Sequence, residues 1–367
     1  METVSLEKII MIRLLCVFLI CFPAAASAQF NYKLFSDIPV QQADVQLATP
    51  WVGGLNAVQF NSMDINGDGL DDLVLYDRMS SLVIPYLQVE GKYQHAPDYA
   101  PYFASVTIEN YLILRDYNCD GRMDLFTGNV LGIKVYTNLA DAGEVPVWKP
   151  FIFYTPTGGK SAVLLSKGTT TKSNVALQPD DFPALVDADG DGDLDLFNVI
   201  YPTGTTIEYH RNFSMERYGV CDSLDFERQT RRWGGVSECV CGTFAFNDAP
   251  CPANGRTQHA GGKSLTAMDV DGNGVMDLLL SEAECNRIFL LRNEGDLENP
   301  VVTTASVFPT GTTGINIFPY PSAYYEDVDF DGVKDLLASP NIFSRTYLNT
   351  DLENSVWYYK NTGTTAA

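Results

Sequence analysis

The sequence is poor in basic residues. Lys and Arg number 24 against 46 Asp and Glu, leaving a formal charge of −22 and a pI near 4.3. Without a basic stripe the chain cannot grip a phosphate backbone, so no nucleic-acid partner is expected. The same shortage disfavours an anionic membrane surface. Histidine is scarcer still, with only His95, His210 and His259. A lone His on a strand or loop is expected to be packed or solvated rather than catalytic. The frames GxSxG, HExxH and GxxxxGK[ST] are all missing, although His259-Ala-Gly-Gly-Lys263-Ser264 has a Gly pair followed by Lys. Beyond the N-terminus no apolar run is long enough to span a bilayer, so no transmembrane segment is expected. Apolar residues are not scarce. At 46% of 367 residues they exclude a disordered acidic tail and allow one large β domain or two smaller ones.

At the N-terminus, Met11-Ile-Arg13 leads into an apolar run over 14–22 and then Ala26-Ser-Ala28. A basic residue, a short apolar stretch and small residues predict a signal peptide over 1–28, cleaved after Ala28, and hence a secreted or cell-surface protein. Cys16 and Cys21 leave with it. Cys119, Cys221, Cys239, Cys241, Cys251 and Cys285 remain. An even number in an exported chain favours disulfides. Six cysteines allow fifteen connectivities, and the sequence does not choose among them. Zinc is disfavoured because Cys239-Val-Cys241 is spaced CxC.

One pattern recurs five times. It reads Asp64-Ile-Asn66-Gly-Asp68-Gly69-Leu-Asp-Asp72-Leu73, then Asp116-Tyr-Asn118-Cys-Asp120-Gly121-Arg-Met-Asp124-Leu125. The third copy is Asp187-Ala-Asp189-Gly-Asp191-Gly192-Asp-Leu-Asp195-Leu196 and the fourth Asp269-Val-Asp271-Gly-Asn273-Gly274-Val-Met-Asp277-Leu278. The fifth is Asp327-Val-Asp329-Phe-Asp331-Gly332-Val-Lys-Asp335-Leu336. An ordinary Asp/Asn/Gly turn explains one such cluster; five in register are not explained that way. Calcium explains them. It takes six to eight oxygens, which side chains at positions 1, 3, 5 and 9 can supply around a turn opened by Gly at position 6. The expectation is about five structural Ca²⁺ ions, with position 7 lending its carbonyl and Leu at position 10 opening a core strand. Mg²⁺ is disfavoured because it keeps its waters. An EF-hand is excluded, since position 12 is Leu75, Thr127, Asn198, Leu280 and Ala338 rather than an acid. Strand-like residues flank each loop, so each loop joins two strands of a hairpin.

Past four loops comes a strand ending in Asn: Ile133-Lys-Val-Tyr-Thr-Asn138, Ile207-Glu-Tyr-His-Arg-Asn212, Ile288-Phe-Leu-Leu-Arg-Asn293 and Val356-Trp-Tyr-Tyr-Lys-Asn361. In the first copy Leu82-Val-Ile-Pro-Tyr-Leu87 is a degenerate version. The loops begin 52, 71, 82 and 58 residues apart, spacings that suit four-stranded propeller blades. Loop and strand together resemble the FG-GAP/VCBS repeats, the calcium-loop β-propeller also found in integrin α-subunit heads. The resemblance runs over about 55–361. It implies an all-β propeller of about seven blades with calcium loops on one face, in secreted or surface proteins that mostly adhere or bind a protein or glycan. Some propellers carrying these repeats are polysaccharide lyases or glycosidases, so a carbohydrate-active enzyme is the alternative. Only five blades bear the motif here. Either the ring is smaller, or some blades lack the loop, or the chain stops short of closure, and residues 30–38 are a candidate for a missing outer strand.

The stretch over 211–262 is rich in charge, Gly and Cys and reads as a disulfide-stapled insertion in a propeller over 29–367. Trp233 with Arg231 and Arg232 is its best candidate contact site, because Trp and Arg dominate binding hot spots.

Overall fold

The computed structural model describes residues 38–47, 54–252, 261–343 and 350–363. The predicted signal peptide, His259 and residues 30–37 lie outside them. Residues 38–47 hold a small hairpin in which Gln41–Gln42 pairs with Val45–Gln46. From residue 54 onward the chain is a five-bladed β-propeller, all-β and 5% helical. The expectation of about seven blades is thereby corrected: the five motif-bearing blades make up the ring.

Blade 1 is Val58–Met63, Asp72–Asp77, Leu82–Val89 and Lys92–His95, and blade 2 is Leu112–Arg115, Asp124–Asn129, Gly132–Asn138 and Trp148–Pro150. Blade 3 is Ala184–Val186, Asp195–Val199, Ile207–Asn212 and Phe226–Thr230, and blade 4 is Lys263–Met268, Asp277–Glu282, Ile288–Leu291 and Ala305–Phe308. Blade 5 has Pro321–Glu326, Asp335–Pro340 and Trp357–Tyr359. Pairing within blades is antiparallel. Blade 3 also takes on Leu165–Lys167, parallel to its outer strand, and Lys172–Asn174.

Each blade is sandwiched between two neighbours, so alternate residues of its second strand face different cores. Val74 and Tyr76 join the cluster shared with blade 2, whereas Leu73 and Leu75 join one that includes Tyr324 and Leu337 of blade 5. In blade 4, Leu278 and Leu280 face blade 3 and Leu279 faces blade 5. This is why these strands read as unbroken apolar runs instead of alternating ones.

Polar side chains on the inner strands lock neighbours together. Asn61 Nδ2 donates to the Leu112 carbonyl at 3.2 Å and its Oδ1 accepts from the Leu114 amide at 2.9 Å. The Leu265 amide donates to the Phe182 carbonyl at 2.9 Å, joining blade 4 to the segment that leads into blade 3. Ser339 Oγ donates to the Val58 carbonyl at 2.8 Å, and Gln59 Nε2 to Asn341 Oδ1 at 3.2 Å, closing blade 5 onto blade 1.

The three disulfides are Cys119–Cys221, Cys239–Cys251 and Cys241–Cys285. The two cysteines outside the 211–262 stretch therefore both pair with it. Three bridges suit an oxidising, extracellular compartment. Among the described residues no helix is long and apolar enough to cross a membrane. The same stretch supplies the outer strand of blade 3. Trp233 is not a contact residue: it is 3% exposed and packs edge-on against Phe197, 5.8 Å between centroids. It fills the space between blades 3 and 4, which overturns its candidacy as a hot spot.

Candidate metal centres

The five Asp-rich loops are built alike. In every copy the residue before position 1 pairs with the Asp at position 9: Met63 with Asp72, Arg115 with Asp124, Val186 with Asp195, Met268 with Asp277 and Glu326 with Asp335. The second strand thus starts at position 9, and Leu at position 10 is buried in all five. All five loops sit at the same end of the propeller, between first and second strands.

Hydrogen bonds shape each loop before any ion is considered. The position-1 carboxylate accepts the amide of the position-6 glycine: Gly69 to Asp64, Gly121 to Asp116, Gly192 to Asp187, Gly274 to Asp269 and Gly332 to Asp327, at 2.8–3.1 Å. Asp68, Asp120, Asp191, Asn273 and Asp331 at position 5 each accept the amide two residues on, at 2.9–3.0 Å. Position 6 has φ between +83° and +101° in all five copies, as a glycine there permits. Position 4 is also left-handed throughout, and here two copies use other residues. Cys119 (φ +59°) is committed to its disulfide, and Phe330 (φ +66°) packs on Tyr93 at 4.8 Å.

Position 9 is the hub. Asp72, Asp124, Asp195, Asp277 and Asp335 are fully buried. One oxygen accepts the amide at position 2, from Ile65, Tyr117, Ala188, Val270 and Val328, at 3.1–3.4 Å. The other accepts an amide from the third strand at 2.7–2.8 Å, from Gln88, Asn138, Asn212, Asn293 and Asn361. This explains the recurring Asn. Its backbone meets the hub while its side-chain oxygen caps the following turn, as when Asn138 accepts from Ala140 and Val147 at 3.2 and 3.0 Å. Blade 1 turns tightly after Val89 and needs no such cap, so Gln88 suffices.

Burial pushes Asp72 up to about 6, Asp124 to about 7 and Asp195 to about 8, and raises Asp277. A buried carboxylate raised this way is stabilised by a proton or a nearby cation.

Three carboxylates come within 4.8 Å of one another in three loops: Asp187, Asp189 and Asp191; Asp269, Asp271 and Asp277; Asp327, Asp329 and Asp335. In the first two loops position 3 is neutral. Asn66 and Asn118 donate to Asp68 and Asp120 at 2.9 and 3.1 Å, and no three-acid cluster forms there among the described residues. The donors suit a hard divalent cation, since all are oxygens. Asp191 Oδ2 and Asp329 Oδ1 are buried with no hydrogen-bond partner, a state that suits a carboxylate oxygen to a cation.

One regularity escaped the sequence reading. Where position 3 is Asp, the residue before the third-strand Asn is a cation that reaches it. Arg211 lies 2.5 Å from Asp189, Arg292 lies 3.7 Å from Asp271, and Lys360 pairs with Asp329 and, at 2.8 Å, Asp331. Where position 3 is Asn, that residue is Leu87 or Thr137. Aligning the strands with the loops would have exposed the correlation.

Two other places hold polar groups. A cavity of about 310 Å³ on the ring axis is lined by all five blades, with Phe60, Phe182 and Tyr324 among its walls and Lys334 beside an Arg115–Glu326 pair at 3.3 Å. His210 is buried, and its Nδ1 lies 2.7 Å from Ser166 Oγ. Burial holds its imidazole below the ordinary value. The contact ties the added strand to blade 3.

No protein-family model matches the sequence, and no curated protein does. Among solved structures, a lectin from Agrocybe aegerita that recognises non-reducing terminal N-acetylglucosamine is 14% identical at a TM-score of 0.35, covering 83% of this chain and 80% of the lectin. The Photorhabdus luminescens Tc holotoxin pore is 17% identical at 0.36, over 80% of this chain. The chain spans 11% of that toxin chain. A putative glucose dehydrogenase from Thermus thermophilus is 12% identical at 0.34, covering 80% and 93%. At such scores these likenesses carry no argument about function.

Proposed function

We propose that this protein is an exported, calcium-stabilised β-propeller that serves as a binding module for a protein or glycan, secreted or at the cell surface. The observation that carries the calcium reading is the common build of the five loops. In each, the position-1 and position-5 side chains accept loop amides and a buried Asp at position 9 ties the loop to the following strands. The residues that would hold the ions are Asp64, Asn66, Asp68 and Asp72; Asp116, Asn118, Asp120 and Asp124; Asp187, Asp189, Asp191 and Asp195; Asp269, Asp271, Asn273 and Asp277; and Asp327, Asp329, Asp331 and Asp335. A cation there supplies charge balance and cross-links strands; it performs no chemistry. The FG-GAP/VCBS resemblance supports the same assignment.

The binding reading is supported by the other end of the ring. The turns between second and third strands expose Val130, Leu131 and Tyr201, and Leu82 at the start of blade 1's third strand is exposed beside its turn; an apolar patch built from such side chains is the kind of surface a partner covers. A glycan array and a pull-down against surface proteins test this reading. No ligand in either, with calcium present, overturns it.

A second reading, a carbohydrate-active enzyme, is favoured by the axial cavity, where Arg115, Glu326, Lys334 and aromatic rings meet. Its test is a polysaccharide-degradation screen with Glu326→Gln as control. Turnover lost in that variant would replace the binding module with an enzyme.

A further inference from the structure

Blade 3 departs from the other four at position 7. That residue is Leu70, Arg122, Val275 and Val333 elsewhere, but Asp193 here. Asp193 is 1% exposed. Its Oδ2 accepts the Met215 amide at 2.9 Å, and its Oδ1 is buried without any hydrogen-bond partner. Asp191 Oδ2 is likewise unpartnered. One oxygen from each of Asp191, Asp193 and Glu216 falls within 4.8 Å of the other two. A buried carboxylate oxygen with no donor is costly unless something cationic fills the gap.

We propose that blade 3 binds a second divalent cation at Asp191, Asp193 and Glu216, beside the one its loop shares with the other blades. The inference rests on the calcium reading of the loops.

Charge supports a second ion. The loop and the helix beside it hold six carboxylates, namely Asp187, Asp189, Asp191, Asp193, Asp195 and Glu216. The cation among them is Arg211, 2.5 Å from Asp189 and 2.6 Å from Glu216 Oε1, and it is shared with a further carboxylate, Glu298, at 3.6 Å. Among the described residues no Lys or Arg pairs with Asp191 or Asp193. One dication would leave three negative charges in place. Two would leave one, which is what loop 5 retains after a single dication, given its four Asp and Lys360.

The third ligand is pre-placed. Glu216 lies on the short helix Ser214–Tyr218. Arg217 on the same turn lies over the Phe213 ring, 4.5 Å from its centroid, and pairs with Asp225 at 2.5 Å. Cys221, just beyond the helix, is bonded to Cys119 in loop 2, whose sulfur lies 3.3 Å from the Gly192 carbonyl oxygen. The helix, loop 2 and loop 3 are thereby held against one another, so Glu216 needs no large movement to bind. An all-carboxylate set selects a hard cation of the Ca²⁺ class. Asp191 would bridge the two ions, and their mutual repulsion makes the second the weaker.

The test counts Ca²⁺ per molecule by native mass spectrometry and calorimetric titration. Glu216→Gln alters an exposed residue outside the ten-residue loop repeat. It is expected to hold one ion fewer than wild type, or to bind that ion about tenfold more weakly or worse. Asp193→Asn should do the same; where its loss of packing interferes with folding, Glu216→Gln alone decides. Unchanged stoichiometry and affinity in Glu216→Gln overturn the second site and leave the five-loop reading standing. Wild-type protein that binds no Ca²⁺ overturns both.

Discussion

At the loop end of the propeller the first turns of the blades carry 19 of the chain's 46 acids. At the other end Val130, Leu131 and Tyr201 in the turns after the second strands, and Leu82 beside its turn, are each half exposed or more. The ends also differ in how they meet their charge. The far end has a buried internal cation. Arg78 of blade 1 bonds the Asn341 carbonyl of blade 5, donates to the Pro179 carbonyl at 3.2 Å and lies 3.9 Å from Asp180 ahead of blade 3. The loop end has only partial internal cover, from Arg211, Arg292, Lys360 and Arg122. One end is neutralised by its own sequence, and on the calcium reading proposed above the other is neutralised by solution. On that reading the same ring is conditional at one end and unconditional at the other.

The largest expected effect comes from chelation. Each ion bound at a hundred times its Kd adds about 2.7 kcal/mol, so removing several should lower Tm by about 10 °C or more. Differential scanning calorimetry with and without chelator reads this. An unchanged Tm would erase the contrast between the ends. Next is Arg78→Met, which takes the donor from the buried Asn341 carbonyl, removes the half-buried bond to the Pro179 carbonyl and should cost about 1–3 kcal/mol. In urea unfolding that loss should be the same with and without calcium, because it lies at the unconditional end.

A smaller effect is pH. In chelator, burial holds Asp72, Asp124 and Asp195 at about 6, 7 and 8 in the folded state, above the ordinary carboxylate value. Their stabilising protonated form is complete below the unfolded value and is lost as pH rises through those three values. The chelated protein should therefore melt a few degrees lower at pH 8 than at pH 5, and calcium should remove the slope. A slope of opposite sign would place the acid-sensitive groups elsewhere. The smallest effect is expected for Phe330→Gly. It relieves a left-handed non-glycine residue, worth about 1 kcal/mol, but loses the Tyr93 contact. The two should nearly cancel in denaturant titration, and a large loss would make Phe330 an anchor of loop 5.

The loops were legible because their chemistry is local. Asp64 to Asp72 spans nine residues, and the side-chain hydrogen bonds that shape that turn, all but one, lie within it. The exception, the Gln88 amide on Asp72, stands for what was not legible. The recurring Asn was visible as a pattern, but its role depends on a strand fourteen or more residues away folding back onto the hub. Trp233 looked like a hot spot because composition cannot report burial, and here it is core. The disulfide partners of Cys119 and Cys285 became clear only once blades 2, 3 and 4 stood side by side. Asp193 read as a spacer because position 7 was assigned only a carbonyl, and only the neighbouring helix makes its side chain interesting.

The bonds between Ser339 and Val58 and between Gln59 and Asn341 join residues 281 and 282 positions apart, whereas pairing inside each blade joins mostly successive strands. Assembly is therefore ordered by the chain itself. As synthesis proceeds, each blade can zip locally and lean on the one before it, but the outer flank of blade 1 has nothing to cover it. Phe60 packs on Tyr324 at 5.4 Å, and Leu73 and Leu75 share a core with Leu337, so that flank of blade 1 is completed only by blade 5.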